Sequence, residues 1–73
     1  IEVKGHAGPE VYGELTSYEA ELAEKERERY WLYIVYNIGS KPEWVRFRDP
    51  ISTMNWEAFE KVEKRYILRP KEG

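Results

Sequence analysis

The chain opens with Glu2-Val3-Lys4, a spacing that could do chemistry. On a β-strand, residues two apart point the same way and lie about 6.6 Å apart. Glu2 and Lys4 would then share one face, and Ile1 and Val3 would face a core. A carboxylate can ligate Mg²⁺, and a nearby ammonium can orient a water or steady a scissile phosphate. The alternative is a solvent-exposed ion pair on a strand, which contributes little.

The segments that come after Glu2-Val3-Lys4 along the chain must hold this motif in place. Residues 5–9 contain two glycines and a proline, which is typical of a loop. Thr16 and Glu19 have the spacing of a capping box, which predicts a helix over residues 17–29. The apolar stripe of this helix would consist of Leu15, Tyr18, Leu22 and Ala23.

Residues 30–38 form the strongest structural signal, because eight of the nine are apolar or aromatic and many favour strands. An unbroken apolar run of this kind is typical of a central strand covered on both faces. Residues 39–42 predict a turn, and the alternation over residues 44–48 predicts a second strand paired with the first. Asp49-Pro50 would end that strand.

The last segment predicts a helix over residues 56–65, with Asn55 as its N-cap. A short strand over residues 66–68 could follow it. The sequence therefore predicts an α/β (α+β) fold with the order β-α-β-β-α around a mixed sheet. The predicted helical stripe would consist of Trp56, Phe59, Val62 and Tyr66.

Composition excludes several classes of protein. The chain has 73 residues, enough for one small domain, and no cysteine, which excludes disulfide scaffolds and thiol nucleophiles. No apolar run approaches the roughly 20 residues of a membrane span, and no secretory leader pattern is visible, so we expect a cytoplasmic protein without membrane contact. The formal net charge of −2 argues against nucleic-acid binding by bulk positive charge. The excess of basic residues lies in the second half of the chain.

Four strings of the sequence are Ile1-Glu2-Val3-Lys4-Gly5, Leu15-Thr16, Arg29 to Asn37 and Asp49-Pro50. Taken together, these strings resemble the NO VEIN C-terminal domain family. The resemblance covers about residues 1–50 and is most specific at residues 29–37. It implies the restriction-endonuclease-like fold of the PD-(D/E)xK nuclease superfamily, similar to the Mrr branch. Residues 1–73 would then be a single domain or the C-terminal part of a larger nuclease-like domain.

The resemblance also implies roles for individual residues. Glu2 would bind Mg²⁺ and Lys4 would help to activate the attacking water, which makes these two the catalytic candidates. Glu19, near the start of the helix, is the nearest accessory acid. The upstream aspartate of the superfamily has no counterpart, because the only aspartate is Asp49, which we expect in a turn. Tight Mg²⁺ binding would need an acidic ligand from outside this chain, and we expect the chain alone to be inactive.

Three further residues are candidates for nucleic-acid contact: His6 after the motif, and Arg46 and Arg48 on the second strand. Each could instead be an ordinary solvated side chain. The resemblance thus implies a nuclease-like part of a larger nucleic-acid-processing protein, of the helicase, ATPase or restriction and defence type. The alternatives are a non-catalytic module that binds protein or DNA, and a structural fragment. A homodimer is also open.

Overall fold

The computed structural model describes residues 1–60 and 64–71, and the side chain of Glu60 is outside that description. Within these residues the chain forms two three-stranded sheets, two α-helices and one 3₁₀ turn. In chain order the elements are β1 Glu2–Gly5, β2 Gly13–Thr16, α1 Ser17–Glu26, the 3₁₀ turn Arg27–Arg29, β3 Trp31–Tyr36, β4 Glu43–Arg48, α2 Pro50–Thr53, β5 Asn55–Glu60 and β6 Lys64–Arg69.

The first sheet is mixed, with the order β1-β3-β4. Strand β1 runs parallel to β3, with Lys4 opposite Ile34, and β4 runs antiparallel to β3, with Val45 opposite Ile34. Two parallel strands need a long connection, and here β2 and α1 supply it. The predicted α+β class, the mixed sheet and the hairpin after residue 38 are confirmed.

The second sheet is antiparallel, with the order β2-β6-β5. The helix predicted over 56–65 is therefore wrong in its described part, because residues 55–60 form β5 and residues 64–69 form β6. The only helix after β4 in the described chain is the short α2. The predicted stripe residue Val62 lies outside the described residues. The predicted short strand over 66–68 is confirmed as part of β6.

Long-range pairing explains why the helical spacing misleads. Strand β6 lies between β2 and β5, so its backbone finds partners on both sides. Leu68 becomes fully buried in that position, and the rings of Trp56 and Tyr66 lie 5.6 Å apart across the strand pair. Burial and cross-strand packing of this kind outweigh a local helical pattern.

Helix α1 begins where the sequence predicts. Both hydrogen bonds of the capping box between Thr16 and Glu19 are present. The α-helix ends at Glu26 instead of continuing to residue 29, because Arg27 adopts a positive φ of 50° and the chain then makes the 3₁₀ turn. The helix buries Ala20 and Ala23, whereas the predicted stripe residue Tyr18 is exposed.

The core joins the two sheets and α1. Leu32 and Ile34 supply it from β3, Leu15 from β2 and Leu68 from β6, and all four are fully buried. Strand β3 is covered only on the face that carries Leu32 and Ile34. The residues that alternate with them are half-exposed, contrary to the expectation of burial on both faces. No helix among the described residues is long and apolar enough to cross a membrane.

Candidate functional site

Glu2 and Lys4 lie on the same face of β1, as the strand spacing predicts. The register places them beside Leu32 and Ile34, the two buried residues of β3. They therefore face inward. The expectation that Ile1 and Val3 face the core is wrong, since these residues are 82% and 60% exposed.

Lys4 brings two carboxylates together. Its Nζ donates to Glu19 Oε1 at 3.0 Å and to Glu19 Oε2 at 3.2 Å. The same Nζ lies 3.7 Å from Glu2 Oε2. The structure thus joins the three predicted residues Glu2, Lys4 and Glu19, which we call the β1–α1 cluster. Their side chains are 20–30% exposed, so the cluster is open to solvent.

The capping box fixes Glu19 in this cluster. The backbone N–H of Thr16 donates to Glu19 Oε1 at 2.9 Å, and the Glu19 N–H donates to Thr16 Oγ1 at 3.1 Å. Oε1 therefore accepts from both the helix cap and Lys4. One local motif starts the helix and also places a carboxylate over the inward face of β1.

The two carboxylates of the cluster have opposite pKa shifts. Burial raises the pKa of Glu2 above its ordinary 4.5, and the neighbouring Glu19 raises it further, while Lys4 offsets part of the effect. Burial alone would also raise the pKa of Glu19. The hydrogen bond from Thr16 and the contact with Lys4 outweigh burial, so the pKa of Glu19 is lowered. As the pH rises, Glu19 therefore ionises before Glu2.

Tyr30 is a neighbour of the cluster that the sequence reasoning missed. The side chain is buried, and burial raises the pKa of its hydroxyl to about 12, with further contributions from the charges of Glu2, Glu19 and Glu26. The alternation of Tyr30, Leu32 and Ile34 contained the signal, because it places all three on the inward face.

The other predicted site residues lie elsewhere. The His6 ring stacks on Tyr12, with centroids 4.2 Å apart, and its Nε2 is buried without a hydrogen-bond partner. Arg46 and Arg48 lie on the opposite face of the mixed sheet, opposite Tyr33 and Trp31.

Asp49 precedes α2 and has a left-handed backbone conformation, with φ 50° and ψ 60°. It is thus a turn residue, as the sequence predicts.

The donor chemistry of the cluster suits a hard cation only in part. Mg²⁺ is commonly held by one or two carboxylates together with waters and substrate phosphates. Glu2 and Glu19 match that small donor set. No group of three His, Cys, Asp or Glu residues suited to a metal occurs within residues 1–60 and 64–71. The described residues therefore supply only part of a Mg²⁺ ligand set.

Comparison with known proteins identifies the family to which this chain belongs. The family model described as "Protein NO VEIN, C-terminal" matches residues 1–48 of the 73 residues. The chain belongs to this family. The NO VEIN C-terminal match includes β1 through β4, and thus the whole β1–α1 cluster. No curated protein and no solved structure matches the chain. The resemblance inferred from the sequence is confirmed at the level of the family.

The opposite pKa shifts predict a distinctive titration for this NO VEIN C-terminal chain. In ¹³C NMR of the side-chain carboxyls, Glu2 should titrate above pH 4.5 and Glu19 below it. Lys4→Met should raise both pKa values, because the ammonium lowers each of them. Lys25→Met, at the exposed end of α1, is the matched control. Two coincident titrations near 4.5 would contradict the cluster geometry.

The two pKa shifts change the free energy of unfolding in opposite directions as the pH changes. The pKa of Glu19 is lowered by folding, so its stabilising contribution is present above pH 4.5 and is lost as the pH falls through the lowered pKa. The raised pKa of Glu2 favours the folded state at low pH, and this benefit disappears as the pH rises through the raised pKa.

Proposed function

We propose that this chain is the nuclease-like part of a larger nucleic-acid-processing protein, in which the β1–α1 cluster is half of a Mg²⁺-dependent phosphodiesterase site. The observation that carries the proposal is the convergence of Lys4 with Glu2 and Glu19 on the inward face of β1. A strand carboxylate, an ammonium two residues later and a helix carboxylate are the groups that the PD-(D/E)xK resemblance implies.

Each member of the cluster has a separate task in this proposal. Glu2 would hold Mg²⁺ through a carboxylate oxygen. Lys4 orients the attacking water or contacts the scissile phosphate, and Glu19 positions the Lys4 ammonium through its two oxygens. When bound, Mg²⁺ would polarise the phosphoryl oxygen and lower the pKa of a coordinated water.

The remaining acidic ligand would come from outside the described residues. Strand β1 lies at the end of the mixed sheet, and its only partner in the described chain is β3. An edge strand offers unpaired N–H and C=O groups to another strand. A strand added there, from a longer polypeptide or from a second copy in a homodimer, would bring an acidic side chain toward Glu2.

A second candidate function is a non-catalytic module that binds DNA or protein. It is favoured by the closed contact between Lys4 and Glu19, in which one carboxylate occupies the ammonium with both of its oxygens. In that case the cluster is an ion pair that tethers β1 to α1. The domain would then bind DNA or protein without catalysing a reaction.

A paramagnetic metal titration of the isotope-labelled chain tests the proposal. Mn²⁺ should selectively broaden the amide signals of Glu2, Lys4 and Gly5, because the metal sits beside β1. Glu2→Gln should abolish this broadening without changing the fold. Glu21→Gln, an exposed acid on α1, is the control and should leave the broadening intact. Broadening that is spread over exposed acids, or that persists in Glu2→Gln, would refute the metal site and favour the non-catalytic module.

A further inference from the structure

The face of the mixed sheet opposite the β1–α1 cluster is aromatic and basic. The register of β1, β3 and β4 puts alternate residues of each strand on this side, which we call the outer face. Its eight strand positions are Val3, Gly5, Trp31, Tyr33, Val35, Trp44, Arg46 and Arg48.

The outer face is open to solvent. Trp44 is 62% exposed and Val3 is 60% exposed, while Trp31 and Tyr33 are half-exposed. Large aromatic side chains grouped on one open sheet face are uncommon on a protein that acts alone, and they mark a binding surface.

The aromatic rings on this face contact one another and the neighbouring arginines. Tyr33 and Trp44 stack with their centroids 5.9 Å apart and their planes 18° apart. The guanidinium groups of Arg46 and Arg48 lie 5.4 Å and 5.8 Å from the centroid of Trp31. The surface therefore offers a stacked pair of rings and, next to it, a third ring that two cationic groups overlie.

The acidic strand positions of the mixed sheet all lie on the inner face. None of the eight outer positions is acidic, whereas Glu2 and Glu43 alternate to the other side. Arg48 is engaged, because it donates to the Glu28 carbonyl at 2.8 Å and lies 3.9 Å from its carboxylate. Arg46 has no acidic partner among the described residues, so its charge is available to an anion.

We propose that the outer face binds single-stranded nucleic acid. Bases would stack on the exposed ring of Trp44 and on its neighbours, and Arg46 would contact a phosphate. An open sheet with stacking aromatics is an established way to bind unpaired bases. A protein partner would also use exposed rings, but the positive charge of Arg46, which no carboxylate among the described residues pairs, favours a polyanion. This surface needs no metal and is separate from the β1–α1 cluster.

Binding of fluorescent oligothymidylate and oligouridylate, measured by anisotropy in EDTA, tests this inference. Binding should weaken as salt rises. Trp44→Ala should weaken it about tenfold, the loss expected for one stacked base. Tyr18→Ala removes an even more exposed ring from α1 and should change nothing. Trp44→Phe keeps a stacking ring and should retain most of the affinity. NMR dispersion checks that each variant is folded.

Two further variants separate the inference from the proposed function. Arg46→Gln should weaken binding and reduce its salt dependence, whereas Glu2→Gln should leave binding unchanged. Absence of binding at low salt, or equal binding by Trp44→Ala and the unchanged chain, would overturn the inference. Self-association in sedimentation that disappears in Trp44→Ala, without any oligonucleotide binding, would also overturn it and assign the face to a second copy.

Discussion

Under the proposed function, replacing Lys4 with methionine is expected to slow Mg²⁺-dependent DNA cleavage strongly in any protein in which these residues form such a site. Methionine keeps most of the side-chain length but removes the ammonium between Glu2 and Glu19. A positioned group that activates water contributes about 10²–10⁴ in rate, so the single-turnover cleavage rate should fall by about that factor. Glu2→Gln should have an effect of similar size, because it removes the proposed metal ligand.

The control for this prediction is Lys25→Met, which removes an exposed ammonium from α1 without touching the cluster. DNA affinity should be nearly unchanged in Lys4→Met, so the loss should appear in the cleavage step. Undiminished cleavage by Lys4→Met would exclude a catalytic role for the cluster. A protein that is inactive with Lys4 intact, yet binds DNA, would favour the non-catalytic module.

Leu32→Ala is expected to cause a large loss of stability. Leu32 is 0% exposed and packs with Leu15, Ile34 and Leu68 where the two sheets meet. Truncation of a fully buried leucine costs about 2–5 kcal/mol, from lost burial and the cavity that remains. A small domain has only about 5–15 kcal/mol in total. Denaturant unfolding should therefore show a much lower midpoint, or an already unfolded chain.

Ile34→Val and Val3→Ala complete this series. Ile34→Val removes one methylene from the same core and should cost about 0.5–1.5 kcal/mol, which keeps the chain folded and measurable. Val3→Ala alters the outer face of the neighbouring strand, where the side chain is 60% exposed, and should stay within about 0.5 kcal/mol. Equal losses in Leu32→Ala and Val3→Ala would contradict the assignment of the inner and outer faces.

Local sequence signals predicted a large part of the cluster. The capping box of Thr16 and Glu19 depends only on residues three apart, and both of its hydrogen bonds are present. The strand period correctly put Glu2 and Lys4 on one face. The contact between Lys4 and Glu19 was expected only through the resemblance to nucleases, because no local pattern relates residues separated by 15 positions.

Local patterns could not predict which face of β1 points inward, nor the structure of residues 55–60 and 64–69. Alternation shows that Ile1 and Val3 oppose Glu2 and Lys4, but it does not say which pair faces inward. Pairing with β3 decides this, because the inward side is the one where Leu32 and Ile34 meet the second sheet. The charged pair therefore lies under α1, and the apolar pair is exposed.

The sequence by itself determined the family, the α+β class, the start of α1 and the strands that carry the candidate site. These features depend on short-range patterns of turns, caps and apolar runs. Only the tertiary structure decided that residues 55–60 and 64–69 form strands, and that the mixed sheet has one buried and one open face. The physical reason is that strand pairing and burial are made between distant segments, and their energy outweighs the local preference of either segment.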